Sequence, residues 1–186
     1  MQSRKKLNII QYFAFVLITL LSYSSFAQNN EPTASAHIYL TSQHNQTTND
    51  SNIHNIVFDH VESAMGFELD DSKTKILVKE AGVFYLTLIG QAGSSDEKSL
   101  MLGGSVNLWI TKNDKPISNS NAIRAIGINN KTGILVSQAI VQLNPGDTIG
   151  AAYSSTEPKE NLGLIYTPAN PNMPASPSVN FGVSKL

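Results

Sequence analysis

The clearest pattern in the chain is an alternation of apolar and polar side chains with a period of two. In "GVFYLTLIGQAG" (82–93), Phe84, Leu86 and Leu88 share one face, and Val83, Tyr85, Thr87 and Ile89 share the other. In "SVNLWITK" (105–112), Val106, Leu108 and Ile110 oppose Asn107, Trp109 and Thr111. "GILVSQAIVQL" (133–143) sets Leu135, Ala139, Val141 and Leu143 against Ile134, Val136 and Ile140. The last residues, "PSVNFGVSKL", set Val179, Phe181 and Val183 against Asn180, Gly182 and Ser184. Successive side chains of a strand point to opposite faces, so each segment predicts a strand.

Shorter strands are predicted at 36–40, 53–58, 75–78, 121–128 and 148–155. "NDKP" (113–116) and "NPGD" (144–147) carry turn chemistry. Residues 41–52, 94–104 and 156–177 read as loops, the last rich in Pro and Asn. "ESAMGFELDDSKT" (62–74) allows a helical turn but is too short and too Asp-rich for a helix. No segment keeps a helical period for three turns, and no internal repeat is visible. Eight to ten short strands between turn signals predict an all-β, two-sheet antiparallel sandwich or jelly roll.

The two long strands are apolar on both faces, and such strands need cover on both. The sandwich core covers one face. No helix is predicted to cover the other, so a second copy of the chain is the expected cover for Val83, Tyr85, Thr87, Ile89, Ile134, Val136 and Ile140.

The first residues change the picture of where the domain begins. A basic head (Arg4, Lys5, Lys6), a mainly apolar stretch (7–21) and small residues at Ser25 and Ala27 predict a signal peptide over 1–27, cleaved after Ala27. A retained anchor is the alternative, but the apolar run is short for a span of about 20 residues. Residues 28–35 read as a polar tether and 36–186 as one β-sandwich domain. Loss of the three basic residues leaves ten Lys and Arg against fourteen Asp and Glu. That balance, without a basic patch, speaks against nucleic acid, and no second apolar run predicts a membrane span after cleavage. The chain has no cysteine, which excludes a lipoprotein anchor and disulfide staples. Together these features lean towards a secreted bacterial protein. The sequons at Asn45, Asn49 and Asn130 then read as polar loop sequence.

Candidate chemistry is sparse. There is no nucleophile elbow, phosphate loop, zinc-protease helix or EF-hand, so neither an enzyme nor a cofactor is expected. His54, His60 and Asp59 could ligate a metal, but their spacing fits no closed zinc pattern. Asp70-Asp71 and Asp96-Glu97 are loop carboxylate pairs, for which a solvated turn is the default over calcium. Trp109, the sole tryptophan, falls on the polar face of its strand. It is expected beneath the 157–175 loop; the alternative is an exposed ring that stacks on a sugar or a partner. Leu100 to Leu102, in a loop, either tucks into the core edge or marks a contact surface.

Four motifs in order then carry a resemblance. They are Gly82, Phe84 and Leu86 along a long strand; Lys112-Asn113-Asp114 closing the next; Leu143, Gly146 and Asp147; and Phe181, Gly182 and Val183 in the last strand. Over 75–186 the chain resembles the C1q/TNF-like domain, in the bacterial form found at the C-termini of collagen-like surface glycoproteins; over 36–74 it matches poorly. Asp114 stands where the pattern has Gly, no Gly-X-Y stem precedes the domain, and the 157–175 loop is longer than typical. The resemblance implies a ten-strand jelly roll assembling as a compact homotrimer. It also implies that the first and last strands lie side by side in an inner sheet around the threefold axis, with Asn180, Gly182 and Ser184 permitting close approach. The expected function is a secreted, non-enzymatic binding or adhesion module for a protein or glycan. The alternative is a monomeric carbohydrate-binding sandwich using Trp109.

Overall fold

The structure, a computed structural model, describes residues 35–96 and 102–186. In chain order the strands are β1 His37–Ser42, β2 Gln46–Thr47, β3 His54–Asn55, β4 His60–Met65, β5 Phe67–Leu69, β6 Lys75–Val78 and β7 Gly82–Ser94. They continue with β8 Gly104–Lys112, β9 Lys115–Pro116, β10 Ala122–Ile126, β11 Thr132–Leu143, β12 Thr148–Ser155, β13 Leu162–Leu164 and β14 Val179–Lys185. Nine of these are four residues or longer, close to the ten strands expected; the other five are short pairings of two or three residues. Among the described residues the one helical element is a single 3-10 turn, Pro158–Glu160.

Ser35–Leu186 is a sandwich of two antiparallel sheets. The first sheet runs β11-β7-β14-β1-β4, with β13 and β2 continuing the far end of the β14 edge. The second runs β10-β8-β12-β6-β5, with β3 and β9 as short additions. The alternations set which faces meet. Phe84, Leu86 and Leu88 of the first sheet and Val106, Leu108 and Ile110 of the second are all fully buried between the sheets. Phe58 stacks on Phe181 at 5.7 Å and Phe67 meets Phe84 edge-on at 5.3 Å, the offset and T-shaped arrangements aromatic rings favour.

The last strand is held on both edges. β14 pairs with β1 on one side and β7 on the other. The Lys185 N–H donates to the Ala36 carbonyl and the Leu186 N–H to the Val83 carbonyl. A C-terminal strand inserted between two others has no free edge from which to fray.

Three expectations need correction. The strand predicted over 53–58 reduces to His54–Asn55; Ile56 and Phe58 are buried plugs on irregular backbone. The helical turn allowed within 62–74 is absent: β4 and β5 lie there, broken at Gly66, whose φ of 75° suits glycine. β4 is an edge strand exposed along nearly its whole length, so it lacks the one-sided burial that writes an alternation into sequence. The segment 157–175 is not a plain loop. It holds the 3-10 turn, β13, and a hairpin whose bridges are Thr167 with Ser176 and Asn170 with Met173.

Candidate functional site: two outer sheet faces

Side chains that point away from the core on the first sheet line up in rows fixed by the register. One row is His37, Ser184, Tyr85, Ile140; the next is Tyr39, Gly182, Thr87, Gln138; a third is Thr41, Asn180, Ile89, Val136. All ten residues expected at a shared surface therefore lie on one face. Its β7–β11 half is apolar and in water: Ile140 is 67 % exposed, Ile134 59 %, Val136 49 % and Val83 41 %. Its β14–β1 half is mostly polar, small along β14 (Ser184, Gly182, Asn180) and larger along β1, where Tyr39 is exposed. There the Tyr39 hydroxyl donates to Asn180 Oδ1 at 3.0 Å; in the β7–β11 half, Gln138 Nε2 donates to the Tyr85 hydroxyl at 2.5 Å.

Gly182 sits in the middle of this face. A Cβ placed on it would meet only Tyr39 Cδ2, at 3.6 Å, an ordinary contact. The subunit's own packing therefore does not require glycine there. The hairpin 167–176 is anchored at one end of the same face: Gln91 Nε2 donates to Thr167 Oγ1 and Ser176 Oγ donates to Gln91 Oε1, both at 2.9 Å.

On the second sheet the outward face is different. Trp109 is half-buried and pairs in register with Ala152, which pairs in turn with Asn55. The 157–175 segment does not cover it; that segment pairs with β7 of the other sheet. Besides its sheet neighbours Asn107, Thr111, Ala152 and Ser154, the residues that share clefts with Trp109 come from 53–55 and from the 114–121 turn region.

Two of the four resemblance motifs meet in space. Asn113 and Asp114, both at positive φ, make the two-residue β8–β9 turn, a conformation Asn and Asp tolerate better than most residues. Asn113 Nδ2 donates to Asp147 Oδ1 at 2.8 Å, and the Thr148 N–H donates to Asn113 Oδ1 at 2.8 Å. Lys112 Nζ lies 2.9 Å from Asp147 Oδ2. Hydrogen bonds from Asn113, from Lys112 and from the Asn144 N–H hold the Asp147 carboxyl down to about 2. The motif is thus a clasp between two turns.

The candidate metal ligands are not brought together. His54 Nε2 is 2.7 Å from Asp50 Oδ1, with the Thr48 hydroxyl alongside at 2.9 Å. This His54 hydrogen bond leads the causes that hold Asp50 well below the usual carboxylate range. His54 also packs against Tyr153, whose hydroxyl is pushed up to about 12 by burial and by the Asp50 charge. His60 instead lies 3.7 Å from Asp59, which binds His44 at 2.8 Å. Burial opposes ionisation of Asp59, but the bonds from His44 and the Gln43 N–H outweigh it and lower its pKa. Asp70 is likewise lowered: burial opposes its charge, but Ser72 and the Lys75 and Thr74 N–H groups prevail. It is committed to its own turn, and Asp71 beside it is exposed. Glu97, Leu100 and Met101 lie outside the described residues; the Asp96 N–H, just past β7, donates to Ser94 Oγ, and Leu102 is exposed. Among the described residues no three such groups are placed to hold a metal ion. The histidine–aspartate pairs went unread in the sequence, although the i, i+4 spacing of Asp50 and His54 is visible there.

No family model matches the sequence, and no curated protein matches it either. Solved structures do match. Murine APRIL at pH 5.0 aligns over 82 % of this chain and 99 % of its own, with a TM-score of 0.53 and 12 % identity. The globular domain of zebrafish complement 1qA protein aligns over 82 % of this chain and 97 % of its own, with a TM-score of 0.54 and 12 % identity. At such identity the likeness is one of fold: with the two sheets described above, the chain is a two-sheet antiparallel jelly roll of the C1q/TNF-like kind.

Proposed function

We propose that the chain is a secreted, non-enzymatic binding or adhesion module that assembles as a compact homotrimer and recognises a protein or glycan partner. The observation that carries this reading is the outer face of the β11-β7-β14-β1 sheet. Exposed large apolar side chains normally occur singly, whereas four of them here sit on two adjacent strands, beside half-buried Tyr85 and Ile89. Such a concentration of exposed apolar side chains, interrupted here only by polar pairs such as Thr87 and Gln138, marks an interaction surface. A second copy is the favoured cover because closed cyclic symmetry lets one patch serve every subunit. Three copies is the number the sequence resemblance implies. The spare room at Gly182 supports the same reading, since a small residue there suits close approach of a neighbour. Export rests on the basic head, apolar run and Ser25-x-Ala27. The test is the solution mass of the chain from Gln28 to Leu186 by light scattering: a trimer mass at micromolar concentration is expected, and a monomer mass overturns the assembly.

A further inference from the structure

The outward face of the second sheet carries a site of another chemistry. Trp109 is the shared wall of two shallow clefts, and Pro116 borders both. One, of about 410 Å³, is lined by Asn107, Ser118, Asn121 and Ser154; the other, of about 300 Å³, by Asn55 and Thr111, with Ile53 at its margin. The polar groups are neutral amides and hydroxyls, apart from Asp114, whose carboxylate is paired with Lys75 Nζ at 2.8 Å. Asn55, Ser118 and Asn121 are exposed, and no hydrogen bond ties down their side chains within the described residues.

We infer that this is a binding site for a neutral oligosaccharide, with Trp109 as its stacking plate. A sugar ring presents an apolar face of C–H groups and a rim of hydroxyls. A flat aromatic takes the first. Side chains that both donate and accept take the second, and Asn, Ser and Thr supply both roles. A few polar groups placed around one apolar body is the usual make-up of a small-ligand site. Among the described residues, neither cleft is lined by a cation that could pair with an acidic sugar. The apolar lining, Trp109, Pro116 and Ile117 in one cleft and Trp109, Pro116, Ile53 and Ala152 in the other, is interleaved with the amides and hydroxyls, which suits the mixed surface of a sugar better than an apolar protein knob. The inference rests on the reading of the chain as a binding module but not on its assembly: the site lies on the sheet opposite the apolar face, so it stays open whether the chain is one copy or three. Three copies would turn a weak single-site affinity into avidity.

Trp109 is the only tryptophan in the sequence, so tryptophan fluorescence reports on this site alone. The mature protein is titrated with neutral trisaccharides built from glucose, galactose, mannose or N-acetylglucosamine, and with a sialylated trisaccharide as the charged control. A saturable spectral shift with at least one neutral sugar and none with the control is expected. Asn121→Ala and Trp109→Phe should each weaken binding by about tenfold, read by calorimetry, with the circular dichroism and solution mass unchanged. Trp109→Ala should abolish it; if that variant does not fold, the Asn121→Ala and wild-type titrations still decide. No shift with any neutral sugar up to about 10 mM, equal binding of the control, or binding that survives Asn121→Ala and Trp109→Phe undiminished each overturns the inference. The solution mass is unaffected by any of these outcomes, so failure of the site and failure of the trimer are read separately.

Discussion

Replacing Ile140 by Glu separates the assembly from the fold. Ile140 is 67 % exposed in the single subunit. A substitution at so exposed a place changes the stability of an isolated subunit by about 0.5 kcal/mol or less. In an assembly that covers the face the balance is different. Ile140, Ile134, Val136 and Val83 together leave about two whole residues' worth of surface in water, and covering that much apolar surface contributes about 3–6 kcal/mol per subunit. Ile140→Glu removes the largest single share of the four and places a carboxylate in each contact, where an unpaired charge costs several kcal/mol more. A loss of about 3 kcal/mol per subunit is a conservative sum, and it weakens each contact by about two orders of magnitude. Light scattering should therefore find a trimer for the wild type and a monomer for the variant at the same micromolar concentration. Urea unfolding of both at a dilution where the wild type has dissociated should give matching midpoints. A variant that keeps the wild-type trimer mass, or one that loses stability as an isolated subunit, would refute the reasoning.

Other consequences follow from single residues. Phe181→Ala empties a fully buried ring stacked on Phe58 and should cost about 3–5 kcal/mol in denaturant unfolding; Asn180→Asp should cost the isolated subunit little yet weaken the trimer by gathering like charges. Gly182→Ala should leave the isolated subunit as stable or slightly more so but weaken the trimer, which paired unfolding and mass measurements would reveal. Asp147 has a folded pKa of about 2 against an ordinary 3.8, so its charge stabilises the fold above about pH 4 and that contribution fades as pH falls towards 2. Urea midpoints of wild type and Asp147→Asn should therefore differ at neutral pH and converge between pH 4 and about 2; a constant difference would show that the clasp does not depend on the charge. Mass spectrometry of exported protein should give Gln28 as the first residue, and an intact Met1 would sink the cleavage.

The sequence by itself determined the faces. Alternation is local: a strand buried on one side must place apolar residues at every second position, so Phe84-Leu86-Leu88 and Val179-Phe181-Val183 announced both their strands and their core sides. The same locality made the second apolar face of β7 and β11 legible before any neighbour was known. Tertiary structure decided what depends on where the chain returns. β4 was missed because an exposed edge strand needs no alternation. The 157–175 segment, expected over Trp109, is drawn to the other sheet by its hydrogen bonds to β7 and β2, long-range pairings that no local pattern states. Trp109 is flanked instead by residues from 53–55 and 114–121, brought to it by β12, β9 and the turn that follows. Asn113 and Asp147 lie far apart in sequence, and no local pattern states that their turns meet; only the pairing of β8 with β12 closes that distance and lets an amide and a carboxylate lock.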